Sequence, residues 1–194
     1  MGVFLLHNPK AVLIHIPKTG GTSIRNGAWE GNYEGPAFGE IPDDWQSYFK
    51  FAFVRHPYDR LISAWKMFTK GTMTRPGLSA EIETRPLSLS EFIDIVTDDN
   101  IIYDERRSTY EERVRHHTIP QTHLFNCLRL ADYVGRYENI DEDFLQISKT
   151  IGQTTELPHI HYTERKHWSE YMSDTDKDRC LDFYKEDFKQ LEYR

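Results

Sequence analysis

Twelve residues, Val12 to Ser23, reading VLIHIPKTGGTS, carry the densest chemical signal in this 194-residue chain. Lys18 supplies one compact positive charge, Gly20 and Gly21 let backbone approach oxygen atoms closely, and Thr19, Thr22 and Ser23 add hydroxyl donors. That set suits a phosphate-bearing ligand, although an ordinary strand-to-helix turn with a solvated lysine has the same residue types. The order narrows the choice. In the nucleotide-triphosphatase loop GxxxxGK[ST] the lysine follows the glycines, whereas Lys18 precedes them, so the loop is P-loop-like without being a Walker motif. A second basic and hydroxyl pair, Arg55 and Ser63, follows another apolar run, Phe49 to Val54.

Both groups need elements to hold them. Val12–Ile16 and Phe49–Val54 read as buried strands, each stopped by a proline-containing polar turn. Beyond the first, Ile24, Ala28 and Trp29 recur at helical spacing, so Thr22 or Ser23 is the expected cap. Beyond the second, Pro57 suits a first helical position, and Leu61, Ile62, Trp65 and Phe68 form one side of a helix from about Tyr58 to Phe68. Helix starts of this kind favour anions.

The remaining chain is read the same way. Gly31–Asp44 is an expected loop with one helical turn before Trp45, and Gly71–Pro86 an expected mobile surface loop that covers or borders the site. Ser88-Leu89-Ser90-Glu91 has capping-box spacing before a short helix. Asp98–Arg115 shows no clear pattern. His123–Phe125 and Tyr133–Tyr137 are strand candidates. A helix over about 141–151 turns Phe144, Leu145, Ile147 and Ile151 inward, and a last helix from near Asp174 groups Cys180, Leu181, Tyr184, Phe188 and Leu191. Strands alternating with helices indicate one α/β domain over residues 1–194 with a largely parallel sheet, whose ligands gather at the strands' C-terminal ends.

Composition excludes several classes. A formal charge of −7 argues against nucleic acid or an anionic membrane as partner, so an anion site has to be built locally. Two distant cysteines, Cys127 and Cys180, do not make a disulfide framework or a zinc ribbon. The first ten residues lack a signal-peptide pattern, no run approaches the ~20 apolar residues of a membrane span, and Leu6 stands where a myristoylation start needs Ser or Thr. A soluble, cytoplasmic protein is expected.

With these motifs in hand the chain closely resembles the sulfotransferases that use 3′-phosphoadenosine 5′-phosphosulfate (PAPS), in particular their compact carbohydrate-type branch. Pro17-Lys18-Thr19-Gly20-Gly21-Thr22-Ser23 resembles that family's 5′-phosphosulfate loop, and the stretch Arg55 to Trp65 its 3′-phosphate element, which binds through Arg55 and Ser63. His117-Thr118-Ile119-Pro120-Gln121 is similar to the H-x-x-P-Q element, Tyr133 to Asn139 to the V-G-R-[FY]-E-N strand, and Tyr184 to Phe188 to the closing helix. The resemblance implies a P-loop-like three-layer α/β fold with a mainly parallel central sheet flanked by helices. It implies PAPS as sulfuryl donor, a glycan or small-molecule hydroxyl as acceptor, and no metal. Lys18 would stabilise charge on the departing phosphate, and Thr19, Gly20, Gly21, Thr22 and Ser23 would hold the 5′-phosphate.

For the proton leaving the acceptor, His117 is the first choice, with His116 and Glu40 as alternates; many relatives carry a histidine in the loop before the second strand, where Pro36–Glu40 has none. Arg165 and Lys166 are candidates for closing over the nucleotide or binding an anionic acceptor, and Tyr162 and Trp168 for stacking on a base or sugar. His15 reads as a strand residue. His159 and His161 lack further ligands at metal spacing. Two other functions stay open on the residues alone: a small ATP- and Mg²⁺-dependent kinase, and a non-catalytic module binding nucleotides or sulfated glycans.

Overall fold

The computed structural model of the protein describes residues 2–29, 32–71, 83–101, 108–153, 157–158 and 166–194. The chain forms two compact units, Met1–Arg55 with Gln121–Tyr162 and His56–Pro120 with Thr163–Arg194.

The first unit holds a five-stranded sheet in the order β3-β1-β2-β4-β5, made of β1 (Gly2–His7), β2 (Lys10–His15), β3 (Tyr33–Ala37), β4 (Phe49–Val54) and β5 (Tyr133–Arg136). Strands β2, β4 and β5 run parallel, with Ile14 opposite Ala52 and Val54 opposite Arg136. The expected α/β architecture is present, and its parallel part is where the Lys18 and Arg55 loops emerge. On the other side β1 pairs antiparallel with both β2 and β3. Leu13, Phe51 and Phe53 lie on one face by strand alternation and pack with Phe4 and Leu6 against Ile24, Trp29, Phe144 and Ile147. Each such buried side chain contributes roughly 1.5–3 kcal/mol. Ile24 follows α1 (Gly21–Ser23) in a π-turn over Ile24–Ala28, closed by Trp29 N–H donating to the Ile24 carbonyl at 3.0 Å. Phe144 and Ile147 come from α5 (Ile140–Thr150).

Several expectations for this unit change. Strand β1 is an addition to the expected elements: Gly2–Leu6 is apolar, and Asn8-Pro9 is the turn pair joining it to β2. The helix after the loop is capped at Gly20 in the left-handed region, not by Thr22 or Ser23, because no side-chain bond closes its start. Residues 33–37 of the expected loop pair with β1 instead; Pro36 is tolerated there because β3 is an edge strand. The expected turn before Trp45 is present as a 3₁₀ turn over Asp43–Trp45. His123–Phe125 is no strand: the His123 ring caps a 3₁₀ turn over Leu124–Asn126, accepting from Phe125 N–H at 3.2 Å. Leu145 is exposed, since α5 turns its Ile140, Phe144 and Ile147 stripe to the core and Leu145 lies off it.

The second unit is helical among its described residues. Its elements are α2 (Pro57–Lys70), α3 (Leu89–Thr97), α4 (Tyr110–Thr118), α6 (Asp174–Phe183) and α7 (Lys185–Gln190). Leu61, Ile62 and Phe68 of α2 share a core with Phe92, Ile93 and Val96 of α3, Tyr110 and Val114 of α4, and Cys180 and Tyr184. Ser88 and Glu91 form the expected capping box. Thr109 with Glu112 forms another, which starts α4 at Tyr110 within the otherwise patternless stretch before His116. The last helix is interrupted at Tyr184, whose hydroxyl donates to the Thr118 carbonyl at 2.7 Å, and Leu181 is exposed rather than inward. Among the described residues no helix is long and apolar enough to cross a membrane.

Gly135 shows how tightly β5 is packed: a Cβ there would lie 2.6 Å from Phe53 Cε1 and 3.0 Å from Asp143 Cβ. Gly135→Ala is expected to cost about 1–3 kcal/mol, the usual scale of overpacking, with part recovered in Gly135→Ala/Phe53→Leu. Urea unfolding of the three proteins checks this; equal midpoints for wild type and Gly135→Ala would refute the packing account.

Candidate active site

The loop after β2 is folded by its own residues. Thr19 is buried and its hydroxyl donates to the Ile16 carbonyl at 2.7 Å, which turns the chain back over the strand end. Lys18 adopts φ 71° and Gly20 φ 89°, both in the left-handed region; a lysine enters it only where neighbours hold it. The glycines have a further physical reason. A Cβ on Gly21 would lie 2.1 Å from His15 Cδ2, and one on Gly20 would lie 2.4 Å from Ile140 Cδ1. His15 is thus the strand residue on which the loop rests, half-buried, with its ring 5.9 Å from Phe4. Thr22 and Ser23 are half-exposed in the first turn beyond.

Arg55, one residue past β4, joins this loop to the second one. Only 3% exposed, it donates from Nη1 to the Lys18 carbonyl at 2.9 Å, and its guanidinium stands 3.8 Å over the centre of the Tyr137 ring. The backbone of Arg55 is bonded on both sides by the Gln121 amide: Arg55 N–H donates to Oε1 at 2.9 Å and Nε2 donates to the Arg55 carbonyl at 2.8 Å. Tyr137 is placed by the end of β5, where Asp143 accepts from Arg136 N–H at 2.6 Å and from the Tyr133 hydroxyl at 2.8 Å. Burial and Asp143 push the Tyr133 hydroxyl up to about 12, so it stays a donor at neutral pH. Lys18 has the most consequential electrostatics: burial, with Arg55 adding to it, pushes its ammonium down from 10.5 to about 8.

One further cation of this unit escaped the sequence reading. Arg25 lies over the Phe4 ring at 4.4 Å and near Tyr33 at 5.8 Å, and its pKa is lowered by burial. Nothing in the sequence distinguished it, because its partners come from β1 and β3. Glu40, an alternate base, is exposed in this unit.

Ser63, His116, His117 and Lys166 belong to the second unit. Ser63 is half-buried on α2. Arg60, in the same motif, is structural: it is 1% exposed and donates to the carbonyls of His117, Thr118 and Ile119 at 3.2, 3.0 and 2.6 Å, closing the C-terminal end of α4. His117 is half-buried, packs edge-on to Phe68 with ring centres 5.3 Å apart, and has Nδ1 2.8 Å from the Arg113 carbonyl. A carbonyl only accepts, so Nδ1 carries the proton and Nε2 the lone pair in the neutral ring. His116 is 2% exposed. Lys166 is exposed and paired with Glu170 at 3.2 Å. Trp168 stacks on His56 with ring centres 5.2 Å apart, a packing contact within this unit. Arg165, Tyr162, His159 and His161 lie outside the described residues. Among the described residues no group of three or more His, Cys, Asp or Glu is placed to hold a metal.

A basic, glycine-containing loop at the end of a parallel strand, tied to a second basic loop on the next strand, is an arrangement suited to phosphate-type anions. The chain belongs to the sulfotransferase family, whose model matches residues 32–194. The matched region contains Arg55, Ser63, His117 and Gln121 and begins after the Lys18 loop. The chain is similar to carbohydrate sulfotransferase 14 of Homo sapiens and of Mus musculus, 28% identical over 137 residues in each case, covering 63% of this chain and 33% of the relative. The protein of the same name from Danio rerio is 27% identical over 145 residues, or 66% of this chain and 36% of that one. The chain therefore spans about a third of the length of these relatives. No solved structure matches it significantly.

The lowered Lys18 value has a measurable sign. Between about 8 and 10.5 the folded protein holds fewer protons at Lys18 than the unfolded chain, so this group's contribution to stability rises with pH across that window. An anion beside Lys18 raises its pKa again. Adenosine 3′,5′-bisphosphate binding at about pH 9 is expected to take up close to one proton, and almost none below about pH 7, with affinity falling as pH rises above 8. Calorimetry in two buffers of different ionisation enthalpy measures the uptake; none at pH 9 would remove Lys18 from the anion site.

Proposed function

We propose that the chain transfers a sulfuryl group from PAPS to an acceptor hydroxyl, on a carbohydrate. The observation that carries this reading is the Arg55 to Lys18 bond, which sets two cationic strand-end loops side by side in a member of the sulfotransferase family. The names of the similar proteins support a carbohydrate acceptor.

The residues fit the donor. PAPS brings an activated sulfuryl group whose sulfur–oxygen bond to the 5′-phosphate breaks as the acceptor oxygen bonds to sulfur. Lys18 neutralises negative charge on the bridging oxygen as adenosine 3′,5′-bisphosphate departs. Backbone donors of Gly20, Gly21 and Thr22 and the hydroxyls of Thr22 and Ser23 hold the 5′-phosphate; Ser23 acts through its hydroxyl because its N–H donates to the Gly20 carbonyl at 2.9 Å, and Thr19 contributes its backbone, since its hydroxyl already serves the Ile16 carbonyl. Arg55 and Ser63 bind the 3′-phosphate, Ser63 being assigned on its motif. His117 takes the acceptor's proton on Nε2. It is preferred to His116, which is almost fully buried, and to Glu40 because its Nδ1 bond to Arg113 orients the ring and sets the tautomer a base needs. Arg165 and Lys166 are assigned on charge and place in the sequence alone, as a basic pair that closes over the nucleotide or binds an anionic acceptor. No residue role here calls for a metal. A cytoplasmic setting completes the reading, and two buried, unpaired thiols suit a reducing compartment.

Incubation with radiolabelled PAPS and a panel of sugar, phenol, steroid and peptide hydroxyls tests donor, reaction and acceptor together. Label transfer to a carbohydrate is expected. Adenosine 3′,5′-bisphosphate is expected to bind without magnesium and more tightly than ATP; a preference for Mg-ATP would replace this reading with a kinase. Lys18→Ala is expected to lower turnover by ~10²–10³ with a smaller effect on bisphosphate affinity. His117→Ala is expected to abolish nearly all transfer while retaining cofactor binding, and near-normal turnover would pass the role to Glu40 or His116.

A further inference from the structure

Strand β4 is paired with β5 as far as Val54, opposite Arg136. Arg55 is the first residue beyond that pairing and is 3% exposed. Gln121 takes the part of a strand neighbour there with its side chain. Its amide accepts from Arg55 N–H and donates to the Arg55 carbonyl, at 2.9 and 2.8 Å, as a paired strand residue would. Gln121 is itself fully buried, and its carbonyl accepts from Asn126 Nδ2 at 3.1 Å, from a residue 4% exposed. Both ends of the clamp are thereby held within the first unit.

A glutamine is specifically suited to this task. It presents one donor and one acceptor on a single planar end, whereas glutamate presents two acceptors and aliphatic side chains present neither. Fixing the Arg55 backbone fixes where its guanidinium stands, and that guanidinium both covers Tyr137 at 3.8 Å and donates to the carbonyl of Lys18, a residue in the left-handed region. The linkage runs Asn126 to Gln121 to Arg55 to Lys18.

We infer that Gln121, held by Asn126, is a positioning residue for the anion site: it sets the direction of Arg55 and, through the Arg55 to Lys18 bond, the backbone of the loop that carries Lys18. This inference rests on the PAPS reading above, in which Arg55 recognises the 3′-phosphate. Gln121 acts on the ligand through Arg55, so its loss should be felt at the 3′-phosphate more than at the rest of the nucleotide.

The test compares dissociation constants for adenosine 3′,5′-bisphosphate and adenosine 5′-phosphate, measured calorimetrically on the full chain. Wild type, Gln121→Met, Gln121→Glu, Arg55→Ala and the Arg55→Ala/Gln121→Met double variant are used. Gln121→Met keeps size and removes both bonds; Gln121→Glu keeps the acceptor and removes the donor. The wild-type preference for the bisphosphate is expected to fall about tenfold in Gln121→Met, a size typical of residues coupled through contact. Adenosine 5′-phosphate affinity should change much less, and the double variant should be no less selective than Arg55→Ala alone. Should Gln121→Met not fold, Gln121→Glu is read in its place, with the same fall expected. An unchanged preference in the folded variants, or equal losses for both nucleotides alongside a lowered melting temperature, would overturn the inference. A wild-type protein without preference for the bisphosphate would instead overturn the PAPS reading, and this inference with it.

Discussion

The bond from the Arg55 guanidinium to the Lys18 carbonyl is the contact on which the site depends. It joins residues 37 positions apart that leave the ends of adjacent parallel strands, and it holds a lysine in a conformation that lysine rarely takes. Parallel pairing of β2 with β4 makes the bond possible, because it brings both loops to the same edge of the sheet. The cost is electrostatic. Two cations share a partly dry space, and the ammonium of Lys18 meets that cost by losing affinity for its proton. A site destabilised by its own charge in this way favours an anion that restores it.

Support for the bond comes from residues that make no direct claim to chemistry. His15 and Ile140 fill the volume that side chains on Gly21 and Gly20 would need. Asp143 secures the end of β5, so that Tyr137 lies flat beneath Arg55. In the second unit the division of labour is similar: Arg60 and the Tyr184 hydroxyl satisfy the terminal carbonyls of α4, which leaves His117 on a closed helix end with its tautomer set by Arg113. Arginines that look alike in one motif thus do different work. Arg55 faces the loop of Lys18, and Arg60 is consumed by the fold.

Local sequence carried the elements whose signals are local. The apolar runs at 12–16 and 49–54, the proline at the start of α2 and the Ser88 box were legible because strand alternation, helix capping and proline geometry act within a few residues. Where pairing partners lie far away, the reading failed. β3 looked like a loop because Gly35 and Pro36 weaken any strand signal, and only β1 alongside it supplies the hydrogen bonds that make it one. The Thr109 box is equally local, but the charged residues that follow it carry little apolar periodicity, so α4 shows only in the structure.

By itself the sequence determined the chemical inventory and its order along the chain: a lysine before two glycines, a second basic loop after the next buried strand, and the spaced motifs that mark a sulfotransferase. Residue types and short spacings are properties of the chain, and they survive without coordinates. Tertiary structure alone decided which of those residues cooperate. The Gln121 amide on Arg55, Tyr137 beneath it, His15 under Gly21 and the lowered pKa of Lys18 all arise between residues remote in sequence. Burial, hydrogen-bond geometry and desolvation depend on what the fold brings near, and no periodicity in the chain encodes them.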